Sequence, residues 1–131
     1  PAQSTFLISQ DDSGVFGNDD SRDASISADG RLVVFSSAAS NLVPGDSNGM
    51  NDIFLHDRQT GRTTLVSADP LGNPGDGNCL NPVFSPDATF IGYASTATNL
   101  VAGDVNTWRS LVTGRTIRNA PHDRAWLTHI T

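Results

Sequence analysis

Residues 27–37 read Ser-Ala-Asp-Gly-Arg-Leu-Val-Val-Phe-Ser-Ser, and residues 85–95, 58 positions further on, read Ser-Pro-Asp-Ala-Thr-Phe-Ile-Gly-Tyr-Ala-Ser. The same shift aligns Asn-Leu-Val-Pro-Gly-Asp at 41–46 with Asn-Leu-Val-Ala-Gly-Asp at 99–104, and the alignment runs from Leu7 to Asn48 without a gap. A match of this length does not arise by chance, so the chain contains two copies of one unit. A period of this order is typical of propellers and solenoids.

Each unit carries the pattern of four short strands. In the first unit, apolar or alternating runs mark them at residues 23–27, 31–37, 52–57 and 62–67. Gly30 and Gly61 stand at hairpin positions, where glycine supplies the positive φ of a tight turn, and Gly114 matches Gly61 in the second unit. Asp29 and Asp87 share one turn motif, where we expect them to accept backbone hydrogen bonds. We therefore predict an all-β fold with two β-propeller blades, each a four-stranded antiparallel sheet.

The repeat breaks once, inside the second unit. Thr-Gly-Arg-Thr at 60–63 recurs at 113–116, so the second unit is shortened by five residues. Trp126, Leu127 and Ile130 give the end of the chain an apolar side, which we expect to pack or pair. We divide the chain into a strand at 1–9 that matches the outermost strand of a unit, a first unit at 10–67, a second unit at 68–118 and a tail at 119–131 that matches neither copy.

The segment at 27–37, followed by Asp-Ile-Phe-Leu-His-Asp-Arg-Gln-Thr-Gly at 52–61, resembles the repeat of TolB-like β-propellers. That signature has Ser-Pro-Asp-Gly before its second strand and an aspartate followed by Thr-Gly after its third. Residues 85–87 keep the first element, with Ala88 in place of its glycine. The resemblance covers about residues 4–118. It implies an extracytoplasmic protein, either periplasmic or secreted.

The number of blades predicts an assembly. Propellers of this family carry about six to eight blades, and two blades leave sheet faces that must be buried elsewhere. We expect a homo-oligomer, from dimer to tetramer, in which copies complete a ring and the strand at 5–9 completes a blade of a neighbouring subunit. The alternative is a fragment of a longer propeller with no independent function.

The charged residues argue against several classes of protein. The chain has 14 Asp and 8 Arg but neither Glu nor Lys, and its net charge is -6. Since Glu and Lys favour exposed helix faces, this composition argues against a helical bundle. An acidic chain lacks the basic patch that a nucleic acid requires, and no apolar run approaches the ~18 residues of a membrane span. Cys79 is alone, so it can form no intramolecular disulfide.

Blade topology gathers most of the aspartates at one rim. The loop from a fourth strand to the next first strand lies at the same end as the loop between second and third strands. Ten of the 14 aspartates lie in these loops or at the first residue of the strand that follows, so they map to one rim. We predict a binding or scaffold module that acts through this rim on a protein or carbohydrate ligand. The predicted binding rim comprises Asp11, Asp12, Asp19, Asp20, Asp23, Asp69, Asp76, Asp104 and Asn106.

A calcium site is one alternative use of the rim. Asp46, Asn48 and Asp52 offer alternating oxygen side chains around a glycine, and Ca²⁺ binds six to eight such oxygens. The other interpretation is that these side chains make turn hydrogen bonds. Calcium is the only cofactor that the sequence suggests.

A weak hydrolase, acting on an ester, phosphate or glycoside, is the remaining alternative. Its catalytic candidates are His122 with Asp123 in the tail, where a carboxylate can orient an imidazole base, and His56 on a strand that alternates. We expect His56 to be half-exposed. No nucleophile elbow, zinc-protease motif or phosphate-binding loop is present.

Overall fold

The computed structural model describes residues 3–101, 108–109, 116–117 and 124–130. Over these residues the chain forms strands, turns and bridges but no helix, so the predicted all-β class is confirmed. No helix that could span a membrane occurs in this part of the chain. The strands are β1 (Ser21–Ile26), β2 (Leu32–Ser37), β3 (Asp52–Asp57), β4 (Arg62–Leu65), β5 (Cys79–Phe84), β6 (Phe90–Ser95), β7 (Trp108–Arg109), β8 (Thr116–Ile117) and β9 (Arg124–His129).

The first sheet contains β1, β2, β3 and β4 in that order, and each neighbouring pair is antiparallel. β2 and β3 are in register from Leu32 opposite Asp57 to Ser37 opposite Asp52. Tight turns join β1 to β2 and β3 to β4, where Gly30 and Gly61 both have a φ of +76°. These turns let strands that are consecutive in sequence become neighbours in the sheet.

The second sheet repeats the geometry of the first at the same shift of 58. Ser21 lies opposite Ser37 in the first sheet, and their counterparts Cys79 and Ser95 lie opposite each other in the second. The first strand of each sheet has a bulge, with a positive φ at Asp23 and at its counterpart Asn81. The sequence repeat is therefore also a repeat of backbone conformation.

The two sheets differ in their third strand. The second sheet is ordered β5, β6 and β9, and β9 pairs with β6 from Phe90 opposite His129 to Ser95 opposite Arg124. This is the register that β3 has with β2, although β9 comes from the tail that matches neither copy in sequence. The expectation that the tail packs or pairs is met by strand pairing. β7 and β8 form a separate two-stranded sheet.

The main core lies between the two sheets. Val34 and Ile53 of the first sheet pack with Cys79, Ile91 and Tyr93 of the second, all of them buried. A second cluster covers the opposite face of the first sheet, where Phe35 and Phe54 stack with their ring centroids 5.9 Å apart. The first sheet is thus covered on both faces, because alternate residues of its strands point to opposite sides.

The N-terminal segment, residues 3–9, forms no strand within the described chain. Ile8 packs against the Phe35 cluster, while the side chain of Phe6 is 64% exposed and lies 5.5 Å from the Arg58 guanidinium. The Ser9 carbonyl accepts a hydrogen bond from Gly17 N at 2.9 Å. The end of this segment is therefore anchored on the side of the first sheet that faces away from the second sheet.

Candidate functional site

The loop that precedes each sheet is built around an aspartate. Asp11 Oδ1 accepts hydrogen bonds from Ser13 N at 2.9 Å and Val15 N at 2.8 Å, and Asp69 Oδ1 accepts from Leu71 N and Asn73 N, both at 2.9 Å. The hydrogen bond from Val15 N is the largest cause of the lowered pKa of Asp11. The amide of Asn73 has the same effect on the pKa of Asp69. Both carboxylates therefore stay ionised down to lower pH than ordinary aspartates.

The two kinds of loop that topology places at one rim contact each other directly. Asn18 N donates to Asn41 Oδ1 at 2.9 Å, and Ser40 N donates to Asn18 Oδ1 at the same distance. In the second unit Asp76 takes the place of Asn18 and accepts from the backbone and hydroxyl of Thr98. These bonds tie each pair of loops together, because side chains of one loop replace missing backbone partners of the other.

A surface cleft of about 530 Å³ lies between the loop at 10–15 and the loop at 40–45. Its walls include Asp11, Asp12, Asn41 and Thr63. Asp12 Oδ1 accepts a hydrogen bond from Thr63 N at 2.7 Å, so this carboxylate is held against the outer side of β4. The cleft combines two carboxylates with the apolar side chains of Leu42, Val43 and Pro44, and it has room for a small ligand or a ligand side chain.

The remaining aspartates of the predicted rim are divided between the described and undescribed residues. Asp19 Oδ1 accepts from Asp20 N at 2.7 Å, and the Asp20 carbonyl accepts from Ala38 N at 3.0 Å. Asp23 lies in the β1 bulge. These three residues are exposed. Outside the described residues lie Asp104, Asn106, His122, Asp123 and Gly114.

The predicted calcium ligands come together, but they are bonded to one another and to their surroundings. Asp52 is fully buried; its Oδ1 accepts from the Ser67 hydroxyl and its Oδ2 from Asn48 Nδ2, both at 2.8 Å. The same Nδ2 donates to the Gly75 carbonyl at 2.7 Å. Since both of its neighbours are acceptors, the nitrogen of the Asn48 amide must face them. A calcium ion would require this amide to rotate, because only its oxygen can be a ligand.

Burial dominates the electrostatics of this cluster. It raises the pKa of Asp52 to about 6, and the nearby Asp46 carboxylate adds a smaller increase. Burial raises the pKa of Asp46 as well. Among the described residues no group of three or more His, Cys, Asp or Glu side chains could hold a metal ion. As folded, the cluster is a hydrogen-bonded link between the end of β4 and the second unit.

His56 is buried rather than half-exposed, so that expectation was wrong. Its Nδ1 is 2.9 Å from Thr63 Oγ1, and the Thr63 hydroxyl donates to the Gln10 carbonyl at 2.6 Å. Because the hydroxyl proton is used in this bond, His56 Nδ1 is the donor to Thr63 and not a base that activates it. Desolvation lowers the pKa of His56. N-terminal residues, among them Ile8 and Gln10, lie next to His56 on this face and contribute to its burial.

The sequence did not reveal the contrast between corresponding faces of the two sheets. Leu55 lies opposite Val34 and packs against the core between the sheets. At the equivalent position of the second sheet, Leu127 lies opposite Gly92 and is 68% exposed. Val83 also lies opposite Gly92 and is 58% exposed. The second sheet therefore presents to solvent the face that the first sheet buries.

A second pair of equivalent residues shows the reverse contrast, with the residue of the second sheet packed and that of the first sheet exposed. Phe84 of the second sheet packs against the core between the sheets. Its counterpart Ile26, 58 residues earlier in the first sheet, is 57% exposed. In the sequence, the equivalence of β3 and β9 is indicated only by an aromatic-leucine pair that both contain, Phe54-Leu55 and Trp126-Leu127.

No protein-family model matches this chain, and no curated protein shows significant similarity to it. The TolB-like resemblance therefore stays a prediction from the sequence.

Proposed function

We propose that this chain is a β-propeller module with a binding or scaffold role, which self-assembles head to tail from two-blade copies. The main support for assembly is that Leu127 is exposed, whereas its equivalent, Leu55, packs between the sheets. The exposed Ile26 and the packed Phe84 support the same arrangement at the other end. Each end of the described structure thus lacks the neighbour that the two sheets provide for each other.

Burial of these exposed apolar side chains between two copies would contribute a favourable free energy of association. Burial of a Leu or Val side chain contributes roughly 1.5–3 kcal/mol, and both Leu127 and Val83 are more than half exposed. A head-to-tail contact uses two different surfaces, so it closes into a ring when the rotation between copies permits. We expect the sheets of two different copies to pack on each other as the two sheets of one chain do.

The cleft beside the loop at 10–15 would be the binding site of the module. Its carboxylates, Asp11 and Asp12, are held by backbone donors in fixed positions. Fixed carboxylates favour a cationic ligand group such as an amine or guanidinium, since ligand binding then needs little reordering of the site. Assembly would repeat this cleft around the ring.

Light scattering after gel filtration tests the assembly directly. We expect a mass of two to four times 13.8 kDa, with a monomer fraction that grows on dilution. A monomer at every concentration up to the millimolar range would overturn the proposal. For the cleft, titration with an Arg-containing peptide at low salt should saturate with wild type, and Asp12→Asn should weaken the binding; equal binding by both proteins would remove the cleft from the proposal.

A further inference from the structure

We propose that residues 4–7 of one copy pair with β9 of a second copy as the fourth strand of its second sheet. The inference rests on the proposed self-assembly and specifies a contact within it. In the expected antiparallel register Leu7 lies opposite Trp126, Phe6 opposite Leu127 and Thr5 opposite Thr128.

The donor segment has the sequence position of a fourth strand. Leu-Ile-Ser at 7–9 matches Leu-Val-Ser at 65–67, so the shift of 58 places residues 4–7 on Arg62–Leu65. Those four residues form β4 in the first sheet. Residues 4–7, in contrast, are exposed and form no strand within the described chain. Within the described residues the segment therefore pairs with no strand, and its backbone groups can pair with another sheet edge.

The acceptor is the edge of the second sheet. β3 pairs with β2 on one side and with β4 on the other, whereas β9 pairs with β6 and is the edge strand among the described residues. An unpaired sheet edge can accept an extended segment of another chain as an added strand.

The register follows from the first sheet. There β3 pairs with β4 through Phe54 opposite Leu65 and Leu55 opposite Thr64. β9 has the place of β3, with Trp126 for Phe54 and Leu127 for Leu55, and the shift of 58 converts Leu65 and Thr64 to Leu7 and Phe6. The pairing therefore brings together the exposed side chains of Phe6 and Leu127, which are 64% and 68% exposed in the single chain.

A second copy is required because of where the donor segment is anchored. Ile8 packs with the Phe35 cluster, and Ser9 is bonded to Gly17. This cluster covers one face of the first sheet, and the second sheet packs on the other face through Val34 and Ile53. Residues 4–7 of the same chain would have to pass around the first sheet to reach their own β9.

Disulfide trapping between two different chains tests this contact. Both chains carry Cys79→Ala, so that the native thiol takes no part; one also carries Phe6→Cys and the other Leu127→Cys. Directly opposed Cβ atoms in an antiparallel pair lie about 4.5–5.5 Å apart, which a disulfide can bridge with a small adjustment. The matched control replaces Phe6→Cys by Leu7→Cys, which points to the opposite face of the pairing. All three positions are exposed, and circular dichroism verifies the folding of each variant.

We expect mild oxidation of the mixture to give a covalent heterodimer. Its yield should be at least fivefold higher with Phe6→Cys than with the control Leu7→Cys. Oligomers of the proposed mass without this heterodimer would overturn the strand exchange but not the assembly. The chain that carries both Phe6→Cys and Leu127→Cys is oxidised separately. If the cross-link forms only within that single chain, the exchange is overturned as well. Monomers without any cross-link would overturn both proposals.

Discussion

Leu55 and Leu127 occupy the same place in two sheets of one chain, but only Leu55 is covered by a neighbouring sheet. Each lies opposite the same position of the repeat, Val34 in the first sheet and Gly92 in the second. Leu55 packs against the core between the sheets, whereas Leu127 is 68% exposed. Because the strand register is the same at both positions, the difference lies in what covers each sheet. This is the physical basis for the assembly that we propose.

Leu127→Asp should dissociate the assembly. A carboxylate on this face would have to be desolvated in the contact with a second copy, which costs several kcal/mol if it has no partner. We expect the mass measured by light scattering to fall to that of the monomer at micromolar concentration. Leu71→Asp is the matched control, since Leu71 is 88% exposed in a loop and lies outside this face. Loss of assembly in both variants would contradict the assignment of the face.

Ala88→Gly should stabilise the protein by about 0.5–1 kcal/mol. Ala88 has a φ of +57°, in the left-handed region that costs a non-glycine residue roughly 1–2 kcal/mol. Its counterpart Gly30 has a φ of +76°, and a Cβ there would lie 3.8 Å from the nearest heavy atom, so Gly30→Ala should destabilise by backbone strain and not by a clash. Urea unfolding at one protein concentration measures both effects, which should have opposite signs.

Asp52 should make the protein less stable as the pH rises from about 4 to 7. Its pKa in the folded state is about 6, above the value of 3.8 for an ordinary aspartate, so the folded state binds the proton more tightly. The stability that this proton contributes is complete below pH 3.8 and is lost as the pH rises through 6. The loss amounts to as much as about 3 kcal/mol. Asp52→Asn should remove most of this slope, as measured by urea unfolding across the range.

Asp69→Asn is the control for that titration. Hydrogen bonds lower the pKa of Asp69, so the stability it contributes is present above pH 3.8 and is lost only as the pH falls through the lower value. The slope between pH 4 and 7 should therefore remain in this variant. An Asp52→Asn protein that keeps the slope of the wild type would show that another group is responsible.

Asn48→Asp should create calcium dependence where the wild type has none. In the wild type the Asn48 amide satisfies Asp52 and the Gly75 carbonyl, so millimolar Ca²⁺ or a chelator should leave the melting temperature unchanged. A carboxylate at position 48 would remove this donor and repel the Asp46 and Asp52 carboxylates. Ca²⁺ should then raise the melting temperature of the variant by several degrees. A rise of equal size in the wild type would support the calcium site instead.

The all-β class and the strands of the first unit could be predicted because they depend on local patterns. Residues 52–57 alternate between two faces, and β3 has those bounds. The turns at Gly30 and Gly61 could also be predicted, since positive φ is a property of single residues. Most rim aspartates could be assigned to loops, whereas Asp23 and Asp52 lie in β1 and β3. Their bonding partners could not be predicted, because Asp52 meets Ser67, 15 residues away, only after the strands are assembled.

The repeat in the sequence determined that two similar units form, because strand pattern and turn residues act over a few neighbouring positions. Only the tertiary structure decided which segment lies beside β6. The choice of β9 depends on competition between segments for the same backbone hydrogen bonds, and those bonds do not depend on side-chain identity. For the same reason the burial of His56 and the exposure of Leu127 could not be derived from alternation alone. Alternation states which side chains share a face, whereas packing decides what covers that face.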